Sequence, residues 1–143
     1  MIDSFSGDYE FLSNFYPCKV TMDKHEYSSV EHAYQAAKTL DLRWRETIRD
    51  ALTPGMAKKL GRVAPIRPDW LDVKDGIMYD LLFQKFAWVR NPELKQKLQD
   101  TGDEKLVEGN WWGDTYWGVC NGRGSNKLGE MLMSIRGLVR QNG

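Results

Sequence analysis

Apolar positions in the first 27 residues come in ones and twos: Phe11, Phe15, Tyr16, Val20 and Met22 lie between turn formers at Gly7-Asp8, Ser13-Asn14, Pro17 and Asp23-Lys24. That texture predicts short strands and turns over residues 5–27 rather than a helix. From Ser29 the period changes. Val30, Ala33, Tyr34 and Ala37 recur at three- and four-residue spacing behind a serine cap, which predicts an amphipathic helix to about Leu40. A second helical segment follows over 41–52. Thr53-Pro54 is a cap followed by proline at the first helical position, opening a short helix that Gly61 is expected to end before a loop forced by Pro65 and Pro68. Asp69 is placed to cap the next helix, with Val73, Ile77, Leu81 and Trp88 as its buried stripe through about Val89. Gly76 in its interior costs about 1 kcal/mol relative to alanine. Asn91-Pro92 repeats the cap-then-proline signal for a helix that stops near Thr101-Gly102. After a loop over 109–124, Ser125 or Asn126 caps a last helix whose Leu128, Met131, Leu132, Ile135 and Val139 face inward. The fold class expected is mainly α, with a small strand-containing N-terminal region.

Composition narrows the function classes. A chain of 143 residues without repeat, low-complexity stretch or linker reads as one domain over 1–143. Twenty basic residues balance twenty acidic ones, and a pI near 6.7 leaves no global field to draw in polyanions, which disfavours a dedicated nucleic-acid coat protein. No apolar run approaches the roughly 20 residues that span a bilayer, and Met1-Ile2-Asp3-Ser4 lacks the order of a signal peptide, so a soluble cytoplasmic protein without membrane partner is expected. Cys18, Cys120, His25 and His32 show no metal-ligand spacing. No metal and no cofactor are expected, an oxygen-only Mg²⁺ site from Glu108 and Asp114 being the one loophole. The six Trp, six Tyr and five Phe suit either a Trp-rich core or a pocket walled by rings that stack on a base.

Two stretches carry candidate chemistry. Glu31, Gln35 and Lys38 lie at i, i+4 and i+7 on the first helix, one polar stripe two turns long. Spacing alone favours a solvated face over a catalytic one, and His32 beside it reads as a satisfied structural histidine. The second stretch runs from Glu108 to Gly129, a loop of acids, amides, glycines and indoles too long for so small a domain unless it is functional. Its Gly122 to Asn126 turn before a helix could present backbone N–H groups to a phosphate. Arg43, Arg45, Lys58, Lys59 and Arg62 read as solvated surface, with Arg62 in reach of an anionic ligand.

The chain resembles the NADAR (YbiA-like) family through residues that run in order across nearly its whole length. They are Phe11-Leu-Ser-Asn14-Phe15-Tyr-Pro17, Ser29-Val-Glu31-His32-Ala-Tyr-Gln35-Ala-Ala-Lys38, Gly61-Arg62, Trp70 with Lys74, Lys85-Phe86, Thr101-Gly102, Leu106-Val-Glu108-Gly-Asn110, Asp114-Thr-Tyr-Trp117-Gly118, Asn126-Lys-Leu-Gly129 and Leu132-Met133-Ser-Ile-Arg136. Leu71, where an acidic residue is common, and Gly76 depart from the pattern. The resemblance implies helices packed at steep angles, an orthogonal bundle, and an N-glycosidase acting on nucleotide-like substrates. Those are phosphoribosylamino-pyrimidine intermediates of riboflavin synthesis, or ADP-ribose attached to guanine in nucleic acid. It implies Glu31, Lys38, Glu108 and Asp114 as catalytic residues and Asn14, Phe15, Arg62, Trp70, Trp117, Gly118, Asn126 and Gly129 as substrate-binding ones. Core packing is the competing role for Trp70 and Trp117.

Breaking an N-glycosidic bond develops positive charge at the sugar C1 and negative charge on the departing base, so a carboxylate, a donor and a stacking surface fit the chemistry. The competing class is a non-catalytic module for ADP-ribose or NAD-like ligands, which would not need the acids and Lys38. Lys38, on the face of Glu31 and flanked by apolar residues, is expected to form a transient Schiff base with the sugar, with Lys85 as the alternative nucleophile.

Overall fold

The turn formers of the N-terminal stretch do not make strands throughout. In the computed structural model, which describes residues 1–141, Gly7–Leu12 winds into a 3-10 helix. Phe11 and Leu12 are buried in succession, which an alternating half-buried strand does not allow. Strands are confined to a hairpin of β1 (Val20–Met22) and β2 (His25–Tyr27), antiparallel with Val20 opposite Tyr27. Its turn residues Asp23 and Lys24 both take positive φ, 52° and 66°, as a two-residue type I′ turn requires.

The chain resolves into a unit over Asn14–Lys85 and a unit made of Met1–Ser13 with the chain from Phe86 onward. The Asn14–Lys85 unit holds the hairpin, α1 (Val30–Ala37), α2 (Leu42–Arg49), α3 (Pro54–Val63) and nearly all of α4 (Trp70–Ala87). Its helix starts follow the caps. Ser29 Oγ accepts from His32 N at 3.0 Å, Asp41 Oδ1 from Arg43 and Trp44 N at 2.9 and 3.1 Å, and Thr53 Oγ1 from Met56 N at 3.1 Å. α1 packs on α2, α3 and β1 and stops at Ala37 instead of Leu40, where the Lys38 carbonyl accepts from Arg67 N at 2.7 Å.

Two helix expectations need correction. Gly61 does not end α3, which continues to Val63 and stops ahead of Pro65, whose ring disfavours the helical conformation for Ala64. Gly61 is instead the point of closest approach to α1: a Cβ there would overlap the Gln35 side-chain amide. On α4 the buried positions are Trp70, Met78, Leu81, Leu82, Gln84, Lys85 and Phe86, while Val73 and Ile77 are half-buried, and Trp88 lies beyond the helix end at Ala87. Apolar residues surround most of α4, so packing rather than sequence period selects its inner face. Asp69 precedes α4 with its carboxylate paired to Arg67 at 2.6 and 3.1 Å.

In the other unit the 3-10 helix packs on α5 (Pro92–Asp100), which packs on α6 (Lys127–Gln141). Leu94, Leu98, Leu106, Leu128, Leu132, Ile135 and Val139 are buried, Met131 only half so. Arg136 Nη1 donates to Thr101 Oγ1 at 2.9 Å, and Ile2 bridges to Leu106. The loop after Leu106 is not strandless: β3 (Gly109–Asn110) pairs in parallel with β4 (Val119–Cys120).

Gly61 and Gly76 make a matched test. A Cβ at Gly76 meets nothing within 4 Å. Gly76→Ala is expected to stabilise by about 0.5–1 kcal/mol through helix propensity, and Gly61→Ala to destabilise by about 1–3 kcal/mol through overpacking on Gln35, both read by urea denaturation. A stabilised Gly61→Ala would refute the close-approach account.

Candidate active site

The polar stripe of α1 is not a solvated face. Every residue of the helix is buried, Glu31 at 8% exposure and Gln35 at 3%, because the hairpin, α2 and α3 close around it. Glu31 Oε2 accepts from Gln35 Nε2 at 2.7 Å, and Glu31 N donates to the Asn14 carbonyl at 3.0 Å. Gln35 Oε1, set against Gly61, is buried without a hydrogen-bond partner among the described residues, as is Asn14 Oδ1, whose amide donates to Met78 Sδ at 3.6 Å.

Burial pushes the Glu31 carboxyl above its ordinary range, and the Gln35 hydrogen bond and the charges of Lys58, Lys38 and His32 pull only part of the way back. Lys38, half-buried at the end of α1, moves the other way. Burial lowers its ammonium, Glu31 raises it, and Lys58, Arg62 and Lys74 lower it again. Its Nζ lies 5.8 Å from the centre of the Tyr34 ring, and Tyr34 packs on Trp70 with centroids 5.0 Å apart. Trp70 is thereby buried, at 6% exposure, whereas Phe15 and Arg62 are exposed.

His32 and Arg45 in this unit have structural duties. His32 Nε2 donates to the Ala51 carbonyl at 2.9 Å and Nδ1 accepts from Ser29 Oγ at 2.6 Å, as expected of a satisfied histidine. Arg45, read from sequence as solvated, is buried, donating Nε to the Thr39 carbonyl and pairing with Asp23. Lys85 is fully buried, its Nζ 5.8 Å from the Tyr16 ring centre. Burial pulls its ammonium down to about 8 against the Cys18 thiol, which burial itself pushes up.

Between Glu108 and Gly129 the backbone is tied to itself. Asn110, at the centre, donates Nδ2 to Glu108 Oε2 at 3.1 Å and to the Asp114 carbonyl at 2.8 Å, and accepts from Asp114 N at 3.0 Å. Asp114 Oδ1 accepts from Tyr116 N at 3.1 Å and Trp117 N at 2.9 Å. Asn126 Oδ1 accepts from Glu108 N, and its Nδ2 donates to the Leu106 carbonyl, both at 3.0 Å. A Cβ at Gly118 would overlap Glu108, and one at Gly129 the Leu106 carbonyl. Trp117 stands half-buried, edge-on to Tyr116 at 4.9 Å. Of the N–H groups between Gly122 and Asn126 that could face a phosphate, those of Arg123, Ser125 and Asn126 donate instead to the carbonyls of Cys120, Thr115 and Gly118, and at the start of α6 those of Lys127 and Leu128 donate to Tyr116 and Trp117. The N-terminus of α6 is closed by its own loop.

Glu31, Lys38 and Trp70 therefore gather on and around α1, and Glu108, Asp114, Gly118, Asn126 and Gly129 within one tied loop. Lys58 and Lys74, which act electrostatically on Lys38, were not singled out from sequence as site residues; their signal was a position one turn from Arg62 and from Trp70. Among the described residues no three His, Cys, Asp or Glu side chains assemble a metal-ligand group, and no helix is long and apolar enough to cross a membrane.

A family model described as the NADAR domain matches residues 3–140. The chain belongs to the NADAR domain family. Among NADAR relatives, the N-glycosidase YbiA of Shigella flexneri is 39% identical over 136 residues, 93% of this chain and 83% of that protein. An N-glycosidase of Nostoc punctiforme is 38% identical over 138 residues, 92% of this chain and 86% of its own length. A riboflavin biosynthesis protein of Vibrio vulnificus is 37% identical over 129 residues, 88% of this chain but 34% of that longer protein. The NMR structure of Escherichia coli YbiA superposes with a TM-score of 0.84 at 35% identity, covering 99% of this chain and 88% of that one. The NADAR fold is thus mainly α here as in its solved relative.

The Asp114 geometry separates a loop-holding carboxylate from one that moves protons. Asp114→Ala is expected to cost about 1–2 kcal/mol, the scale of a lost cap, while Asp114→Asn keeps an oxygen for both amides and stays within about 0.5 kcal/mol of the wild-type chain in denaturant. An Asn variant as unstable as the Ala variant would contradict that role.

Proposed function

We propose that this chain hydrolyses the bond between ribose C1 and the amino nitrogen of a ribosylamino-pyrimidine phosphate, releasing the aminopyrimidine and the sugar phosphate. The chain is an N-glycosidase, as its NADAR membership and its relatives at 38–39% identity over most of its length attest, and its substrate is a small nucleotide-like molecule. A binding module would have no use for a buried acid beside a lysine. The kinship with a riboflavin biosynthesis protein favours the pyrimidine intermediate over ADP-ribosylated guanine, and a net charge of zero gives no general attraction for nucleic acid.

The observation that carries the mechanism is the placement of a buried Glu31 on α1 and of Lys38 at the end of the same short helix, where burial raises the carboxyl and lowers the ammonium from their ordinary values. A carboxyl held above its usual range carries a proton to the departing base, and a lysine held below its usual range offers a free amine. Lys38 Nζ adds to C1 of the ring-opened ribosylimine. The C1–N bond to the pyrimidine then breaks, its electron pair leaving on the pyrimidine nitrogen, which takes the Glu31 proton. Water, deprotonated by the Glu31 carboxylate, adds to the lysine imine, and the adduct collapses to the free sugar and the Lys38 amine. Tyr34, backed by Trp70, stands beside the Lys38 amine, and Glu108 and Asp114 act by shaping their loop.

Purified protein offered ribosylamino-pyrimidine phosphates and ADP-ribosylated guanine is expected to release free base from the former. Glu31→Gln should fold and lose about 10²-fold or more in rate, the scale of a general acid. Borohydride during turnover should fix the sugar to Lys38, found by peptide mass spectrometry. Full activity in a folded Glu31→Gln protein removes Glu31 from the mechanism, and an adduct on Lys85 alone reassigns the nucleophile.

A further inference from the structure

The buried carboxyl of Glu31 meets its side-chain partner through one oxygen only. Gln35, one turn further along α1 and 3% exposed, donates Nε2 to Glu31 Oε2 at 2.7 Å. Glu31 Oε1 takes no hydrogen bond from the described residues, yet the fully enclosed side-chain oxygens without a partner are those of Asn14 and Gln35, so this one keeps contact with solvent. The carboxyl thus has an inner oxygen turned to Gln35 and an outer one left open. Which of them carries the proton of the neutral acid follows from the amide. A donor on Oε2 makes that atom the carbonyl-type oxygen and leaves the proton to Oε1. Were the amide turned over, Gln35 Oε1 would accept the proton from Glu31 Oε2, and the outer oxygen would have nothing to donate.

The packing of α3 selects between the two orientations. Gln35 Oε1 is enclosed without a hydrogen-bond partner among the described residues, and the side chain that Gly61 lacks would overlap it. The oxygen therefore lies along a Cα–H bond of Gly61, a weak donor that a carbonyl oxygen accepts and an NH₂ group does not. Turning the amide over would set an N–H against that carbon and bury a donor with nothing to receive it. The observed orientation also serves both ionisation states. Nε2 donates to the carbonyl-type oxygen of the acid and, more strongly, to the carboxylate left once the proton has gone, so no group has to turn during reaction. The charges felt at Glu31 come from Lys58 of α3, Lys38 at the end of α1 and His32 within it, with none from α2 or the hairpin. Those charges favour the carboxylate; the hydrogen bond is what distinguishes its two oxygens.

We propose that Gln35 is a positioning residue for N-glycoside cleavage: held by Gly61 in one orientation, its amide keeps the Glu31 proton on Oε1, the oxygen open to the departing base, and then steadies the carboxylate that takes a proton from water. Gly61 is the second member of this device, since any side chain there expels the amide. The proposal rests on the reading of Glu31 as the general acid, but the hydrogen bond and the proton it places are measurable without turnover.

Side-chain amide ¹⁵N–¹H spectra of the full chain, recorded across pH beside the carboxyl ¹³C titration of Glu31, test the device directly. The Gln35 Nε2 resonance, identified by its loss in Gln35→Met, is expected to titrate with the Glu31 midpoint and to stop doing so in Glu31→Gln. Gln35→Met keeps the length of the side chain without its donor and should raise that midpoint by about one unit, the scale of a hydrogen bond to a charged group. Gly61→Ala should raise it as well, and where that variant does not fold Gln35→Met carries the test. In turnover of a ribosylamino-pyrimidine phosphate, Gln35→Met should lower kcat roughly tenfold or more with KM little changed, and the alkaline limb of its pH profile should move up with the midpoint. An amide resonance blind to Glu31, or a midpoint unmoved or lowered in Gln35→Met, overturns the proposal. So does a raised midpoint with kcat and profile unchanged while Glu31→Gln is inactive. A raised midpoint together with full activity in Glu31→Gln upholds the placement of the proton and overturns the acid role given to Glu31.

Discussion

A carboxyl group taken out of water on α1 is the costly act around which the Asn14–Lys85 unit is built. An ionised carboxylate in that position forfeits its hydration and regains only one hydrogen bond, from Gln35, plus attraction to cations nearby. Because folding raises the proton affinity of Glu31, the folded chain keeps a proton that the unfolded chain has already lost at its ordinary value of 4.5. Stability therefore falls as pH rises through that value, and the penalty is complete above the folded midpoint. Lys38 adds a cost of opposite dependence. Its folded value lies below 10.5, so its penalty is fully present at low pH and fades as pH climbs from the folded value to 10.5. A sequence selected for stability alone would have neither group there.

The supports of that carboxyl explain several features that otherwise look accidental. Gly61 lies inside a helix, where glycine is a poor choice, because any side chain would displace the amide that holds Glu31. Asn14 ends one turn and supplies the carbonyl that receives the Glu31 N–H. His32, with both ring nitrogens engaged by Ser29 and Ala51, fixes the first turn of α1 on the segment after α2. In the other unit a similar economy governs the loop from Glu108 to Gly129, where Asn110, Asp114 and Asn126 spend their polar atoms on backbone. The glycines at 118 and 129 give room for it.

What the sequence disclosed divides along physical lines. Helix starts were legible because Ser29, Asp41 and Thr53 act within three residues of themselves, and that local chemistry survives tertiary packing. The 3-10 helix at Gly7–Leu12 was not, since its turn formers suit several local conformations and the choice falls to the burial of Phe11 and Leu12. The inner face of α4 and the role of Gly61 were hidden for the same reason: both are decided by a neighbour distant in sequence. Glu31, Gln35 and Lys38 were recognisable as one stripe and as part of a family motif. Their burial was not, because a polar stripe at helical spacing is most often solvated. Asp114 matched a motif expected to be catalytic, and only the hydrogen bonds reveal that its carboxylate holds Tyr116 and Trp117.

The central claim is that Glu31 rests protonated more readily than an ordinary glutamate while Lys38 opposes it across the site. Carboxyl ¹³C NMR titration of the folded chain, with Glu31→Gln identifying the resonance, measures this directly. The Glu31 midpoint should lie above 4.5 and rise further in Lys38→Met, where a neighbouring cation is removed. A Glu31 midpoint at or below 4.5, unmoved by the loss of Lys38, would contradict the account.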